Sequence, residues 1–243
     1  MSEDQRKKIW YLRRINLLAS MTDEEIDMTA RLFVDQQFPA GVELLGGRQP
    51  DQVYLVKEGA VRLYGGHPRQ VTLALLSSGR LFGLSSATGD DIPMLGAVTL
   101  VPSYLCFATG ARLMDAFVNH PQVMLQLTRT LAEQVFRTAG WLERIGVASP
   151  RSRLASLLVE LGDEFGEPVA SGRRIPFRLT RADLAGMVGV SRETASRLMT
   201  EFGRAGWIGQ DGGLLFVRDR EALATQANAA QPVAPRDDAP SEA

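Results

Sequence analysis

Three charged residues, Arg192, Glu193 and Arg197, have the chemistry and spacing needed to read base edges in DNA. Glu193 and Arg197 are four residues apart, so they share one face of a helix, and Arg192 flanks them. A guanidinium can donate to guanine O6 and N7, and a carboxylate can accept from cytosine N4. The alternative is an ordinary helical hairpin whose charges form a surface pair, which contributes only about a few tenths of a kcal/mol.

The residues around this charged group predict two short helices joined by a tight turn. Thr180 and Asp183 have the T-x-x-D spacing of a capping box, which predicts a first helix over roughly 181–188. Gly189 can adopt the left-handed backbone that ends a helix and turns the chain sharply. Ser191 can then cap a second helix by accepting from amide groups of its first turn.

This helical pair has the layout of a helix-turn-helix. Small and apolar side chains are expected to form the seam between its helices: Leu184, Ala185, Val188, Val190, Ala195, Leu198 and Met199. A recognition helix meets base edges through its N-terminal half, which here exposes Arg192, Glu193, Ser196 and Arg197.

The segment SRETASRLM resembles the recognition helix of the CRP/FNR family of bacterial transcription regulators, and the resemblance covers about residues 10–220. In the subgroup typified by the cyclic AMP receptor protein, this helix carries an arginine–glutamate pair and a second arginine, and it reads TGTGA-type half-sites. The same three residue types stand here, so the resemblance implies two arginines on guanines and a glutamate on a cytosine. The expected DNA-binding residues are Arg192, Glu193, Arg197, Ser191, Ser196, Thr180 and Arg181, with Arg181 on phosphate.

Composition indicates the general class of the molecule. The chain has 243 residues, 45% of them hydrophobic, which predicts two domains with substantial cores. A net charge of −1 does not by itself indicate nucleic-acid binding, although acidic segments can mask a local basic face. No apolar run is long enough to span a bilayer, and the start MSEDQRKKIW is unlike a signal peptide. The single cysteine, Cys106, fits a reducing cytoplasm, so we expect a cytoplasmic protein without a membrane partner.

Short β-branched and aromatic runs separated by glycine and proline fill residues 33–107, which predicts a barrel or jelly roll. FPAGVELLGG, VYLVKEGAVRLY and SSGRLFGLSSATG resemble the β-roll of the cyclic-nucleotide-binding domain, with Gly41, Gly59, Gly79 and Gly83 at its turns.

A longer helix is predicted over about residues 121–147. Apolar residues recur along it at heptad-like spacing, which suits a two-helix coiled coil; the expected dimer interface is Leu127, Leu131, Val135, Leu142 and Ile145. The other interpretation is a helix packed on its own barrel. The resemblance implies a homodimer axis, and a palindromic DNA site also requires a dimer.

Ser149 and Pro150 have the cap and first-turn chemistry that starts another helix, and GWIGQDGGLLFVRD predicts a wing hairpin with Asp211-Gly212 at its turn. The expected fold class is α+β, with an N-terminal cyclic-nucleotide-binding-type β-roll (jelly roll), a long dimerisation helix and a C-terminal winged helix-turn-helix. The predicted domains are residues 1–120, 121–148 and 149–224, followed by a disordered tail over 225–243.

The residues expected to line an effector pocket depart from the family pattern. Cyclic-AMP-responsive members carry a glutamate for the ribose and an arginine–serine pair for the phosphate; the matching positions here are Leu84, Met94 and Leu95. Burying a phosphate without a cation or donors costs several kcal/mol, so the usual mode of nucleotide binding is not expected. The degenerate pocket comprises Gly83, Leu84, Ser85, Met94, Leu95 and Thr138.

The sequence lacks the residues that other kinds of sensor, and enzymes, would need. One cysteine cannot hold an iron–sulfur cluster, and His67 and His120 lie in positions typical of solvated surface loops, which disfavours haem. No P-loop, nucleophile elbow or zinc motif is present, so we expect neither an enzyme nor a metal or cofactor.

These observations predict a sequence-specific transcription regulator that binds promoter palindromes in double-stranded DNA as a homodimer. We expect it to be independent of cyclic AMP, with the dimer already set for DNA binding, and to activate transcription through RNA polymerase. Gating by another ligand or by haem, or repression by steric block, stay open as alternatives.

Overall fold

The computed structural model describes residues 22–45, 52–66, 70–84, 95–118 and 148–229, together with positions 125, 128, 129, 132 and 136. Six helices are bounded within these ranges: α1 (Asp23–Leu32), α2 (Gly110–Val118), α3 (Pro150–Phe165), α4 (Arg181–Val188), α5 (Arg192–Arg204) and α6 (Arg220–Ala227). Within this part of the chain, no helix has the length and apolar character required to cross a membrane.

The N-terminal half contains two four-stranded antiparallel sheets. One has the order β1-β8-β3-β6 and the other the order β2-β7-β4-β5. The strands are β1 (Val34–Phe38), β2 (Glu43–Leu45), β3 (Gln52–Glu58), β4 (Val61–Gly65), β5 (Val71–Leu76), β6 (Leu81–Phe82), β7 (Leu95–Thr99) and β8 (Ser103–Thr109). Strands distant in sequence therefore lie side by side, as in the predicted jelly roll.

Strand β3 shows why the sequence QVYLVKE is almost continuously apolar. Its side chains alternate between the two faces of the sheet, and both faces are covered. Tyr54 and Val56 join the core shared by the two sheets. Val53 and Leu55 face a second cluster, to which helices α1 and α2 contribute Ile26, Ala30 and Leu113, and the residue after α1 contributes Phe33. The α1–α2 layer thus seals the outer face of one sheet.

Glycines at the predicted turn positions have the backbone that those turns require. Gly41, Gly59, Gly79 and Gly83 all have positive φ, between 82° and 102°. At Gly83 the close approach of the Gln52 carbonyl oxygen also leaves no room for a Cβ. Only glycine satisfies both conditions at that position.

The C-terminal half packs α3–α6 against a small antiparallel sheet with the order β11-β12-β10-β9. These strands are β9 (Glu167–Val169), β10 (Gly172–Arg174), β11 (Ile208–Asp211) and β12 (Leu214–Val217). The core contains Leu154, Leu158, Leu184, Leu198 and Phe202, all 3% exposed or less. Leu75, Leu100 and Val101 of the β-roll also pack against this cluster, so the two halves are in contact.

The α+β fold class is confirmed, with the β-roll followed by the winged helix-turn-helix. One boundary differs from expectation: α6 continues to Ala227, whereas the tail was predicted to start at residue 225. Asp219 caps this helix by accepting from the Ala222 amide, and Leu223 is fully buried, so both capping and packing extend the ordered chain. Residues 230–243 lie outside the described part.

Candidate nucleic-acid interface

The first helix of the pair starts at the predicted capping box. The Thr180 amide donates to Asp183 Oδ2 at 2.9 Å, and the Asp183 amide donates to Thr180 Oγ1 at 3.1 Å. Helix α4 then ends at Gly189, whose φ of +66° and ψ of +48° are left-handed. The local chemistry of these residues therefore sets both ends of α4.

Helix α5 begins at the predicted cap and buries one face. Ser191 Oγ accepts from the Thr194 amide at 3.1 Å. The predicted seam is buried at Leu184, Ala185, Val188, Ala195, Leu198 and Met199, and Val190 is half-buried. Ala195 has 0% exposure, which shows how closely the two helices approach.

The opposite face of α5 carries the predicted base-reading residues. We call Arg192, Glu193, Ser196 and Arg197 the reading face; its three charged residues are exposed and Ser196 is half-buried. Among the residues that the structure describes, none forms a hydrogen bond or an ion pair with the Arg197 side chain. Its donors are therefore available to a partner.

The carboxyl group of Glu193 is stabilised in its charged form. Hydrogen bonds from its own backbone amide and from the Ser191 hydroxyl lower the pKa of Glu193. A carboxylate in the first helical turn is also favoured by the helix dipole. Glu193 is consequently an acceptor at neutral pH.

Two arginines of α3, which the sequence analysis did not single out, hold the helical pair in place. Arg153 Nε donates to the Val188 carbonyl at 2.8 Å, and its Nη2 donates to the Gly189 carbonyl at 3.4 Å. Arg151 forms an ion pair with Glu201 and lies over the rings of Phe202 and Trp207. Neither arginine carries a local sequence signal for this role, because its partners in the helix-turn-helix lie 35 or more residues away.

The wing lies beside the N-terminus of α4. Gly212 and Gly213 form its two-residue turn with φ of +56° and +82°, the pattern of a type I′ hairpin. The predicted hairpin is present, with its turn one residue later than Asp211-Gly212. Arg181 Nη2 donates to Gln210 of β11 at 3.1 Å, and burial lowers the pKa of the Arg181 guanidinium. Thr180 is exposed at the same end of α4.

The cationic side chains of the C-terminal half are all arginines. Residues 148–229 contain neither lysine nor histidine, so every side-chain cation there is a guanidinium. Guanidinium groups match phosphate and guanine with paired, planar donors.

The predicted effector-pocket residues are only partly described. Gly83 is buried, and Leu84 is half-buried and packs against the cluster that contains Ile26 and Phe33. Leu95 begins strand β7. Ser85, Met94 and Thr138 lie outside the described residues. Cys106 is fully buried, and the described residues form no group of three potential metal ligands.

The predicted dimer interface also lies outside the described residues, at Leu127, Leu131, Val135, Leu142 and Ile145. Positions 125, 128, 129, 132 and 136 are helical and exposed.

The fold and the site together define a DNA-binding winged helix-turn-helix protein that carries a cyclic-nucleotide-binding-type β-roll. Residues 152–225 match the Crp-like helix-turn-helix domain. The chain is 30% identical over 157 residues to the global nitrogen regulator of Nostoc sp., covering 63% of this chain and 70% of that protein. It is 25% identical over 220 residues to the CRP-like cAMP-activated global transcriptional regulator of Mycobacterium tuberculosis, covering 89% and 98%.

A solved structure supports the same family assignment. A CRP/FNR-family transcriptional regulator of Thermus thermophilus superimposes with a TM-score of 0.64 at 26% identity, covering 81% of this chain and 100% of that one. The chain belongs to the CRP/FNR family of transcription regulators.

Proposed function

We propose that the protein binds TGTGA-type palindromes as a cytoplasmic homodimer and regulates transcription there without requiring cyclic AMP. The reading face carries this proposal: it presents two guanidinium groups and an ionised carboxylate on a helix whose opposite face is packed. Arg192 and Arg197 would donate to guanines and Glu193 would accept from a cytosine, with Ser191 and Ser196 beside them.

Contacts to DNA phosphates would fix the position of helix α5 along the half-site. Thr180 and Arg181 stand at the N-terminus of α4, where the Arg181 guanidinium would supply the positive charge for a phosphate contact. Gln210 of the wing orients Arg181. Helix α4 and the wing would therefore contact adjacent phosphates of the DNA backbone.

A homodimer follows from the symmetry of a palindrome, because each protomer would insert one α5 helix into one half-site. The heptad spacing of Leu127, Leu131, Val135, Leu142 and Ile145 supplies a seam for it. Activation through RNA polymerase is the regulatory outcome we propose, and repression by steric block is the alternative.

Independence from cyclic AMP is supported by the residue that stands at the ribose-binding position. Leu84 offers no hydrogen-bonding side chain, and it packs against the apolar cluster beside helices α1 and α2. A core side chain in that place would fill space that a nucleotide needs. The contrasting proposal is gating by a ligand other than cyclic AMP, or by haem.

Fluorescence anisotropy on a TGTGA-N6-TCACA duplex and on a scrambled duplex, each with and without cyclic AMP, tests these points. Specific binding that does not change with cyclic AMP would support the proposal. Binding that appears only with cyclic AMP would overturn effector independence, and equal affinity for both duplexes would overturn the assignment of the reading face.

A further inference from the structure

Asp183 serves two structural elements at once. Its Oδ2 completes the capping box of α4, accepting from the Thr180 amide at 2.9 Å. Its Oδ1 accepts from Arg62 Nη1 of β4 at 3.2 Å and from Thr72 Oγ1 of β5 at 2.9 Å. A residue that starts the first helix of the helix-turn-helix is therefore also bound by the β-roll.

These contacts are shielded from solvent. Thr72 is only 4% exposed, and the side chains of Arg62 and Asp183 are 23% and 16% exposed. Burial alone would raise the pKa of Asp183, but hydrogen bonds from Thr180 and Thr72 and the charge of Arg62 bring it below its usual value. The carboxylate is thus ionised at neutral pH, which strengthens its hydrogen bonds.

A second set of contacts joins the same two parts of the chain. Glu164 at the end of α3 accepts from Ser77 Oγ at 2.5 Å and lies 3.6 Å from Arg80 Nη2. At Gly186 of α4, an added Cβ would lie 3.2 Å from Val71 Cγ1. Strand β5 and the loop after it therefore touch both α3 and α4.

None of these contacts covers the reading face, which belongs to α5. Helices α4 and α5 are joined by the Gly189 turn and fixed to α3 by Arg153. A constraint on Asp183 is consequently a constraint on the direction of α5.

We infer that Arg62 and Thr72 are positioning residues, which fix the orientation of the helix-turn-helix on the β-roll and so set the half-site spacing that the protein prefers. The spacing part of this inference rests on the proposed binding of palindromes by a homodimer. The orientation part concerns one chain and can be measured without DNA.

The orientation is measured by pulsed electron spin resonance between spin labels at Gln37→Cys in β1 and Gly203→Cys in α5. Both positions are exposed, a Cβ at Gly203 meets nothing within 4 Å, and the native Cys106 is fully buried. Dilution with unlabelled protein isolates the distance within one chain. The test variant is R62A/T72V, in which valine keeps the shape of threonine. The matched control is R174A, which removes the 2.6 Å ion pair to Glu167 inside the C-terminal half.

We expect a single narrow distance distribution for the parent protein and for R174A, and a broadened or shifted one for R62A/T72V. If the double variant does not fold, R62A alone serves as the test variant, because Arg62 is partly exposed and its loss should be tolerated. R62K, which keeps a positive charge at this position, should give the narrow distribution of the parent protein. Distributions for R62A and R62A/T72V that match the parent protein would overturn the inference.

Competition binding then compares the six-base-pair spacer with spacers one base pair shorter and longer. In R62A/T72V the preference for the best spacer should fall about tenfold, or roughly 1.4 kcal/mol, while the preference for TGTGA over a scrambled half-site stays unchanged. An unchanged spacer preference despite a broadened distribution would overturn the spacing part. Loss of specific binding by the parent protein itself would refute the proposed function, whereas the distance measurement would still decide the orientation.

Discussion

Replacing Arg197 by alanine should remove the reading of one base pair in each half-site without harming the fold. Arg197 is exposed, and its side chain has no hydrogen bond or ion pair within the described part of the chain. Alanine also has the higher helix propensity, so α5 should be unaffected. Any loss of DNA binding would then reflect the missing guanidinium rather than unfolding.

The size of the effect follows from the paired donors of one guanidinium and from the symmetry of the complex. A bidentate arginine–guanine contact contributes roughly 1–3 kcal/mol of discrimination. A homodimer carries two copies, so R197A should weaken binding to the full palindrome by roughly 2–6 kcal/mol, or about 30-fold to 25,000-fold.

Arg204 provides a matched control on the same helix. It is exposed, has no partner among the described residues, and lies seven residues, or about 10 Å, nearer the C-terminus. That end of a recognition helix lies away from the base edges. R204A should therefore cause a small loss that is equal on all duplexes and reduces the salt dependence.

The assay is anisotropy on the palindrome and on symmetric duplexes in which one base pair per half-site is changed. For the parent protein each change should weaken binding. For R197A, the change at the base pair that Arg197 reads should no longer matter. If R197A instead loses equal affinity on the palindrome and on scrambled DNA, Arg197 contacts only phosphate and the reasoning fails.

Three further predictions concern stability and pH. Ser191→Ala removes the acceptor for the Thr194 amide and should lower the free energy of unfolding of the C-terminal half by about 1 kcal/mol, measured by urea titration; no change would show that water replaces the cap. Phe202→Ala empties a fully buried site and should cost about 3–5 kcal/mol in the same titration, and a loss below about 1 kcal/mol would contradict the packing. Because the pKa of Asp183 is lowered, its stabilisation is present above the ordinary value of about 3.9 and is lost as pH falls through the lowered value. The difference in unfolding free energy between the parent protein and Asp183→Asn should therefore shrink below about pH 4, and a difference independent of pH would contradict this account.

The helix-turn-helix could be predicted in detail because its determinants are local. The capping box, the left-handed glycine and the Ser191 cap each involve residues within four positions of one another, so spacing alone indicates them. The buried seam follows from helical periodicity in the same way. The reading face then comprises the polar residues that remain on the other side of the N-terminal half of α5.

The contacts that orient the helix-turn-helix on the β-roll could not be predicted from local sequence. Arg62 meets Asp183 across 121 residues, and nothing near Arg62 in the sequence indicates that partner. Strand order poses the same difficulty, since β3 pairs with β8 and β6 rather than with β2 or β4. Such pairings depend on the closure of the whole roll and not on local propensity.

The absence of lysine from residues 148–229 has a consequence for how the interface can be controlled. A guanidinium carries its positive charge throughout the pH range of living cells, unlike histidine, so ordinary changes of cellular pH do not switch off the cations of this surface. Enzymes and metabolites that acetylate lysine find no acceptor side chain in these residues, and amine-directed crosslinkers cannot attach there. Control of DNA affinity by covalent neutralisation would require modification of arginine, or of residues elsewhere in the chain.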